Sequence, residues 1–265
     1  RKAADRDWYE GLIAAGELAV TGQDELLISL LSPLRLFEMV RYFTLFDKKA
    51  GKIVARYQQV FGIKALIDRI NTRKPSGARE GGVIWHTTGS GKSLTMVFLS
   101  KTLILHDDLK QCRIVVITDR VDLETQLSTT FSSSGELSDK KDKASAMATS
   151  GRRLAEQIGT GKERIIFSLI QKFNQEIDPD EGYTQRDDVI VITDEAHRTQ
   201  YGTLALNMRN ALPNASFIGF TGTPLFTDDQ LTRHVFGDYV STYDFQRAVD
   251  DQATVPLYYN ARGDD

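Results

Sequence analysis

Cysteine is almost absent: Cys112 is the only one in 265 residues. A single thiol excludes an internal disulfide and any zinc site built on cysteines, and it suits a reducing, cytoplasmic compartment. Long apolar runs are missing too. No stretch approaches the ~18 residues of a membrane span, and no signal peptide opens the chain, so no membrane partner is expected. Charge of one sign is not in excess either: 33 Lys and Arg against 36 Asp and Glu leave a net −3. That balance excludes a wholly basic nucleic-acid coat but leaves room for a local basic groove. No internal repeat is present. What the chain does have is a 41% hydrophobic share, enough for a buried core, and length for one large domain or two small ones. It opens at Arg1 without a methionine and stops in Asn260-Ala261-Arg262-Gly263-Asp264-Asp265, which reads as a piece of a longer protein.

Residues 1–53 carry no catalytic signature and read as a helical linker region. Ser32 and Pro33 form an N-cap and first helical position, and Leu34, Phe37, Val40 and Arg41 follow at helical spacing. A basic stretch, Lys48-Lys49-Ala50-Gly51-Lys52, ends this region. From residue 54 the pattern changes. Val54, Tyr57, Phe61, Ala65, Leu66 and Ile70 suit one helix face, and a loop follows over 74–82. Short apolar runs at 83–85, 113–118, 165–168, 189–193 and 216–220 then alternate with helical segments. Buried strands alternating with helices predict an α/β domain over 54–240, with a parallel sheet covered on both faces. Residues 241–265 are read as a connection, with 254–260 as a last strand or an exit. Two segments, 132–151 and 175–188, have the composition of solvated loops.

His86-Thr87-Thr88-Gly89-Ser90-Gly91-Lys92-Ser93 follows the first of these strands and opens a helix. It matches a P-loop, G-x-x-x-x-G-K-[ST], with His86 in place of the first glycine. Gly89 and Gly91 let the backbone curl until successive N–H groups point at phosphate oxygens, and the helix N-terminus adds partial positive charge. Lys92 reaches the β- and γ-phosphates of ATP, and the Ser93 hydroxyl is a Mg²⁺ ligand. Thr88, Ser90 and Leu94 complete the cradle. His86 reads as a packed wall residue rather than a catalyst.

A second signal is the apolar strand 189–192 running into Thr193-Asp194-Glu195-Ala196-His197. A parallel strand delivers Asp194 to the carboxyl edge of the sheet, where the P-loop also lies. There Asp194 is a Mg²⁺ ligand, and Glu195 is placed to orient and deprotonate the attacking water. His197 links the nucleotide site to a neighbouring element. A third strand ends in Thr221-Gly222-Thr223-Pro224, whose hydroxyls can relay phosphate loss by hydrogen bonding.

In this order the three segments resemble motifs I, II and III of superfamily two helicases and translocases, which implies a RecA-like P-loop NTPase domain. The resemblance assigns further residues. Arg56-Tyr57-Gln58-Gln59 lies where that family carries an adenine-reading glutamine, Gln59 by preference and Gln58 otherwise, with Arg56 beside it. Thr118 to Leu127 looks like the motif that holds the DNA backbone, with Arg120 and Gln126 as contacts. Ser168 to Phe173 looks like the next strand-tracking motif, with Gln171 and Lys172 as contacts. The wording narrows further. Trp85 to Met96, Thr118 to Leu123, Thr193 to Arg198 and Gly219 to Pro224 together resemble the R (HsdR) subunit of type I restriction–modification enzymes, as do Leu30 to Leu36 and Ala248 to Pro256. His86 is no departure within that family.

The family resemblance implies an ATP-driven pump for double-stranded DNA that acts with methylation (M) and specificity (S) subunits and cuts at a distance. It implies a nuclease upstream of Arg1 and a second RecA-like domain beyond Asp265 that supplies an arginine finger. A piece lacking that finger is expected to bind nucleotide weakly and turn it over slowly. Three alternatives remain at this point: another superfamily two helicase or remodeller motor, a nucleotide-gated DNA-binding module without turnover, and a small-molecule P-loop kinase. The Asp-Glu-Ala-His and Thr-Gly-Thr-Pro pair argues against the last.

Overall fold

The computed structural model describes residues 10–16, 21, 23, 27, 30–47, 50–75, 77–119, 121–133, 145–174, 182–194, 202–223 and 234–255. The chain divides into two compact units, 1–44 and 45–265. In the first, helix α1 (Pro33–Tyr42) starts where Ser32 and Pro33 predict, with Pro33 in the first turn where its missing N–H leaves no hydrogen bond broken.

The second unit opens with a short pair, β1 (Thr44–Asp47) and β2 (Gly51–Val54), and helix α2 (Tyr57–Asn71). Next come β3 (Gly82–His86), α3 (Lys92–Leu105), β4 (Arg113–Thr118) and α4 (Val121–Ser133). Helix α5 (Gly151–Gly159), β5 (Ile165–Leu169) and a 3₁₀ turn (Ile170–Phe173) follow. The unit ends with β6 (Val189–Thr193), α6 (Gly202–Ala211), β7 (Ser216–Thr221), β8 (Tyr239–Tyr243) and α7 (Phe245–Asp250).

Among the described residues six strands form one sheet in the order β5-β4-β6-β7-β3-β8, and every pairing within it is parallel. The five expected strands are all present. The sixth, β8, lies across the expected boundary at 240, so the sheet continues into the stretch read as a connection. Its Tyr-Val-Ser-Thr-Tyr sequence is rich in aromatic and β-branched residues, a strand signal in its own right.

Each strand of β4, β6 and β7 is buried along its whole length, as a sheet covered on both faces requires. Val115, Ile117, Val189, Val191 and Phe217 pack with Leu154 and Ile158 of α5 and Met208 of α6. On the other face α2 lies against β8, α3 against α2 and α4 against α3. Phe131 of α4 meets Phe167 of β5 edge to face at 5.2 Å. Each fully buried aliphatic side chain contributes ~1.5–3 kcal/mol.

The two segments expected to be solvated are only partly so where they are described. Ala146 and Ala148 are buried, and Met147 bridges to Phe167 in parallel register. Their small side chains let this backbone cover the outer edge of β5, with Ala148 N–H donating to Phe167 O at 2.9 Å. Tyr183 likewise stacks on Phe173 at 5.8 Å.

At its amino end β3 is squeezed between β7 and β8. A Cβ on Gly81 would lie far inside contact distance of the Phe217 carbonyl oxygen, which is backbone and has no room to move. Gly81→Ala should therefore destabilise the fold by about 2 kcal/mol or more, read as a lower Tm in calorimetry.

Candidate functional site

Helix α3 is capped at its N-terminus by Gly91 in the left-handed region, at φ 91°, and Gly89 has φ 83°. Both values are costly for any residue with a Cβ. Between them the turn closes on itself: Ser90 Oγ donates to Thr87 O at 2.6 Å and Ser90 N–H to the same oxygen at 3.2 Å. Ser90 is buried, whereas Thr88 and Gly89 are exposed at the rim. Among the described residues nothing lies within 4 Å of where a Gly89 Cβ would stand, and Gly89 itself is exposed. Lys92, Ser93 and Leu94 form the half-buried first turn of α3.

The sheet order puts the three motifs side by side. β7 lies between β3 and β6, so Thr221-Gly222-Thr223 separates the P-loop from Asp194. Gly222 is pressed against the loop: a Cβ there would stand 2.9 Å from Thr88 Oγ1 and 3.0 Å from Lys92 Nζ. Thr221 Oγ1 donates to Thr223 O at 2.9 Å and accepts from Thr223 N–H at 3.2 Å, which fixes this turn. Asp194 is 7% exposed, and its N–H donates to Ile117 O at 3.1 Å. Glu195 and His197 lie outside the described residues.

The glutamine pair is separated by the fold. Gln59 Nε2 donates to Gly91 O at 3.1 Å and to Thr95 Oγ1 at 3.0 Å. Its Oε1 accepts the Arg56 N–H at 2.8 Å, closing the start of α2. Both ends of this amide thus brace the P-loop, leaving the second lone pair of Oε1 for any further partner. Gln58 is also buried, but its Nε2 has no hydrogen-bond partner among the described residues. Arg56 is exposed at the N-cap of α2.

At the ends of β4 and β5 two of the expected DNA-contacting residues, Gln171 and Lys172, are joined to the fold. Gln171 Nε2 donates to Asp119 O at 2.9 Å, tying the two strand-tracking segments together. The Lys172 ammonium donates to Ala148 O, so a phosphate must share or displace that bond. Arg120 and the Gln126 side chain lie outside the described residues. Sequence reasoning passed over Glu124, which is 5% exposed with one carboxylate oxygen unpartnered. Burial raises its pKa, and the Lys172 charge works against that rise.

His86 is fully buried beneath the P-loop. Its Nε2 pairs with Ser241 Oγ at 3.1 Å, and its ring meets Tyr243 edge-on at 5.8 Å. The backbone of the same tyrosine takes part, because Thr87 N–H donates to Tyr243 O at 2.9 Å. Ser241 and Tyr243 lie on β8, the strand missing from the sequence-based expectation. Burial, reinforced by the Lys92 charge, lowers the His86 pKa from 6.5 to about 4. The folded protein therefore holds this ring neutral, while the unfolded chain takes up a proton near pH ~6.5. The stability this contributes is whole above ~6.5 and is lost as pH falls toward 4, about 3 kcal/mol in all. His86→Gln should flatten the Tm-versus-pH curve over that window.

Comparison with known proteins gives the family and the fold. The SWI2/SNF2 ATPase family matches residues 58–265. The HindI type I restriction enzyme endonuclease subunit of Haemophilus influenzae is 42% identical over 254 residues, covering 89% of this chain and 24% of that protein. A putative type I restriction enzyme endonuclease subunit of Methanocaldococcus jannaschii, MjaIXP, is 40% identical over 249 residues, covering 91% of this chain and 23% of that protein. The chain thus spans about a quarter of the length of these relatives. Among solved structures, the UvsW helicase of bacteriophage T4 aligns with a TM-score of 0.53 at 13% identity, over 78% of this chain and 67% of that one. A nuclease-deletion mutant of the Type ISP restriction-modification enzyme LlaGI, solved with a DNA substrate mimic, aligns with a TM-score of 0.51 at 19% identity, over 76% of this chain and 20% of that one. At those identities the two structures establish the RecA-like fold. The chain belongs to the SWI2/SNF2 ATPase family, and type I restriction enzyme endonuclease subunits are its relatives.

Proposed function

We propose that this chain is the ATP-driven motor of a type I restriction enzyme R subunit, moving double-stranded DNA in the cytoplasm alongside M and S subunits. One observation carries the reading: Lys92 Nζ and Thr88 Oγ1 lie against the Gly222 backbone, on the strand between the P-loop and Asp194. A phosphate-binding lysine packed against the turn that adjoins the acidic strand end is the arrangement a nucleotide-driven switch needs.

ATP and Mg²⁺ fit the residues present. The open face above Gly89 leaves room for phosphate oxygens against the backbone N–H groups. Thr88 to Leu94 form the cradle, Lys92 would hold the outer phosphates, and Ser93 with Asp194 would hold the metal. When bound, Mg²⁺ neutralises charge on the phosphates. Glu195 orients and deprotonates water, and His197 links the site to its neighbour. Thr221, Gly222 and Thr223 pass the loss of phosphate contact from Lys92 to the rest of the sheet. Adenine is read at Arg56 and Gln59. Full turnover requires an arginine from a second RecA-like domain, worth ~10³–10⁵ in rate.

DNA lies over the carboxyl ends of β4 and β5, where Arg120, Gln126, Gln171 and Lys172 contact phosphates. A motor that moves along any sequence uses such contacts, so its DNA affinity weakens with salt. Lys92→Ala in the full R subunit, assembled with M and S subunits, should lower DNA-stimulated ATP hydrolysis by a factor on the order of 10²–10³. It should also abolish triplex displacement while leaving DNA binding in place. Hydrolysis by the variant at the parental rate would refute the motor reading, and a parental assembly that never hydrolyses ATP would favour a nucleotide-gated binding module.

A further inference from the structure

We infer that the Asp251 carboxylate is a positioning group for nucleotide binding, joining two braces of the P-loop just after α7. The inference rests on the ATP-binding reading above and extends it to residues that touch no phosphate.

Asp251 follows α7. Its Oδ2 accepts a hydrogen bond from the Tyr243 hydroxyl at 2.9 Å and another from the Tyr57 hydroxyl. The two phenols lie edge to face, 6.2 Å apart. Arg247 completes the group: its Nε donates to Tyr57 Oη at 3.2 Å, and its guanidinium sits 5.5 Å from the Tyr57 ring centre. The charge pattern agrees. Hydrogen bonds from Tyr57 and then Tyr243 hold the Asp251 pKa below its ordinary value. Both phenols are pushed up, by burial first and by Asp251 second.

Each phenol begins a separate path to the P-loop. Tyr57 is the first residue of α2, and two residues further on Gln59 holds Gly91 O and Thr95 Oγ1. Tyr243 ends β8, where its carbonyl takes the Thr87 N–H and its ring abuts His86. One path reaches the helix side of the loop and the other its strand side. Asp251 is where they meet.

The backbone places the carboxylate with some strain. α7 closes with Gln252 N–H donating to Val249 O at 2.9 Å and Ala253 N–H to Ala248 O at 2.8 Å. This is a Schellman closure, whose left-handed position usually holds glycine. Here Gln252 occupies it, with φ 55°. Asp244 fixes the other end of α7, accepting the Arg247 N–H at 2.8 Å. A six-residue helix pinned at both ends thus aims one carboxylate at two phenols. Neither a plain helix cap nor a surface ion pair requires two tyrosines from different elements, Tyr243 buried and Tyr57 exposed, to converge on a single oxygen.

The test is Mg²⁺·mant-ATP binding by the purified full-length R subunit, with Tm measured in parallel. Asp251→Ala should weaken binding about tenfold. Asp251→Asn, which keeps an acceptor oxygen, should recover most of that loss. Tyr57→Phe should weaken binding by itself, yet add little on top of Asp251→Ala, because both remove the same path. Nucleotide affinity within twofold of the parent in Asp251→Ala, whatever its Tm, overturns the inference. If Asp251→Ala fails to fold, unchanged affinity in Tyr57→Phe does the same. A parent protein that binds no mant-ATP overturns the inference together with the ATP reading, which distinguishes that failure from a failure of the latch alone.

Discussion

The close approach of β3 to β7 is the constraint on which the rest of the structure depends. At one end of this strand pair, Gly81 passes the Phe217 backbone with no room for a side chain; at the other, Gly222 lies against Thr88 and Lys92. Two strands in parallel register from Gly82 opposite Ile218 to Trp85 opposite Thr221 carry the packing between these contacts. Position at the carboxyl edge is therefore inherited from the sheet. The lysine and the Thr-Gly-Thr turn are held by rigid strands, and Asp194 by the next strand along.

The P-loop is bound tightly from beneath and left open above. Its inner side is hydrogen-bonded by Gln59 to Gly91 O and by Thr87 to Tyr243 O, with Ser90 closing the turn. Over Gly89 none of the described residues fills the space. A neutral imidazole under the loop serves this arrangement. A charged His86 would repel Lys92 across a dry interior, and burial keeps it uncharged. Gln59, Ser90 and His86 Nε2 find their partners within the fold on this side.

At the other side of the sheet, polar residues are drawn into the fold. Gln171 ties the ends of β4 and β5 together, and Lys172 secures the segment that covers the β5 edge. Lys172, a base expected to contact phosphate, is already committed to the protein. Such commitment orders the strand ends.

Much of this was legible in the sequence. Apolar runs marked five of the six parallel strands, and glycine spacing at 89 and 91 marked the loop. Asp194 at a strand end marked the acidic edge. These features are local: strand burial, left-handed glycines and helix starts are dictated by a few neighbouring residues. β8 was missed because its residues, mostly half-buried and including Ser241 and Thr242, carry a weaker apolar signal than the central strands. The roles of Gln58 and Gln59 were undecided because helix periodicity buries both, and only the packing of α2 on α3 selects which amide meets Gly91. Lys172 read as a surface base because nothing nearby in sequence reveals Ala148 as its acceptor. The meeting of Tyr57, Tyr243 and Asp251 spans 194 residues of chain. The sequence by itself determined the parallel sheet, the phosphate loop and the acidic strand end. Strand order, and with it every contact that braces the loop, was decided by the tertiary structure, because hydrogen bonds between distant segments leave no mark on local spacing.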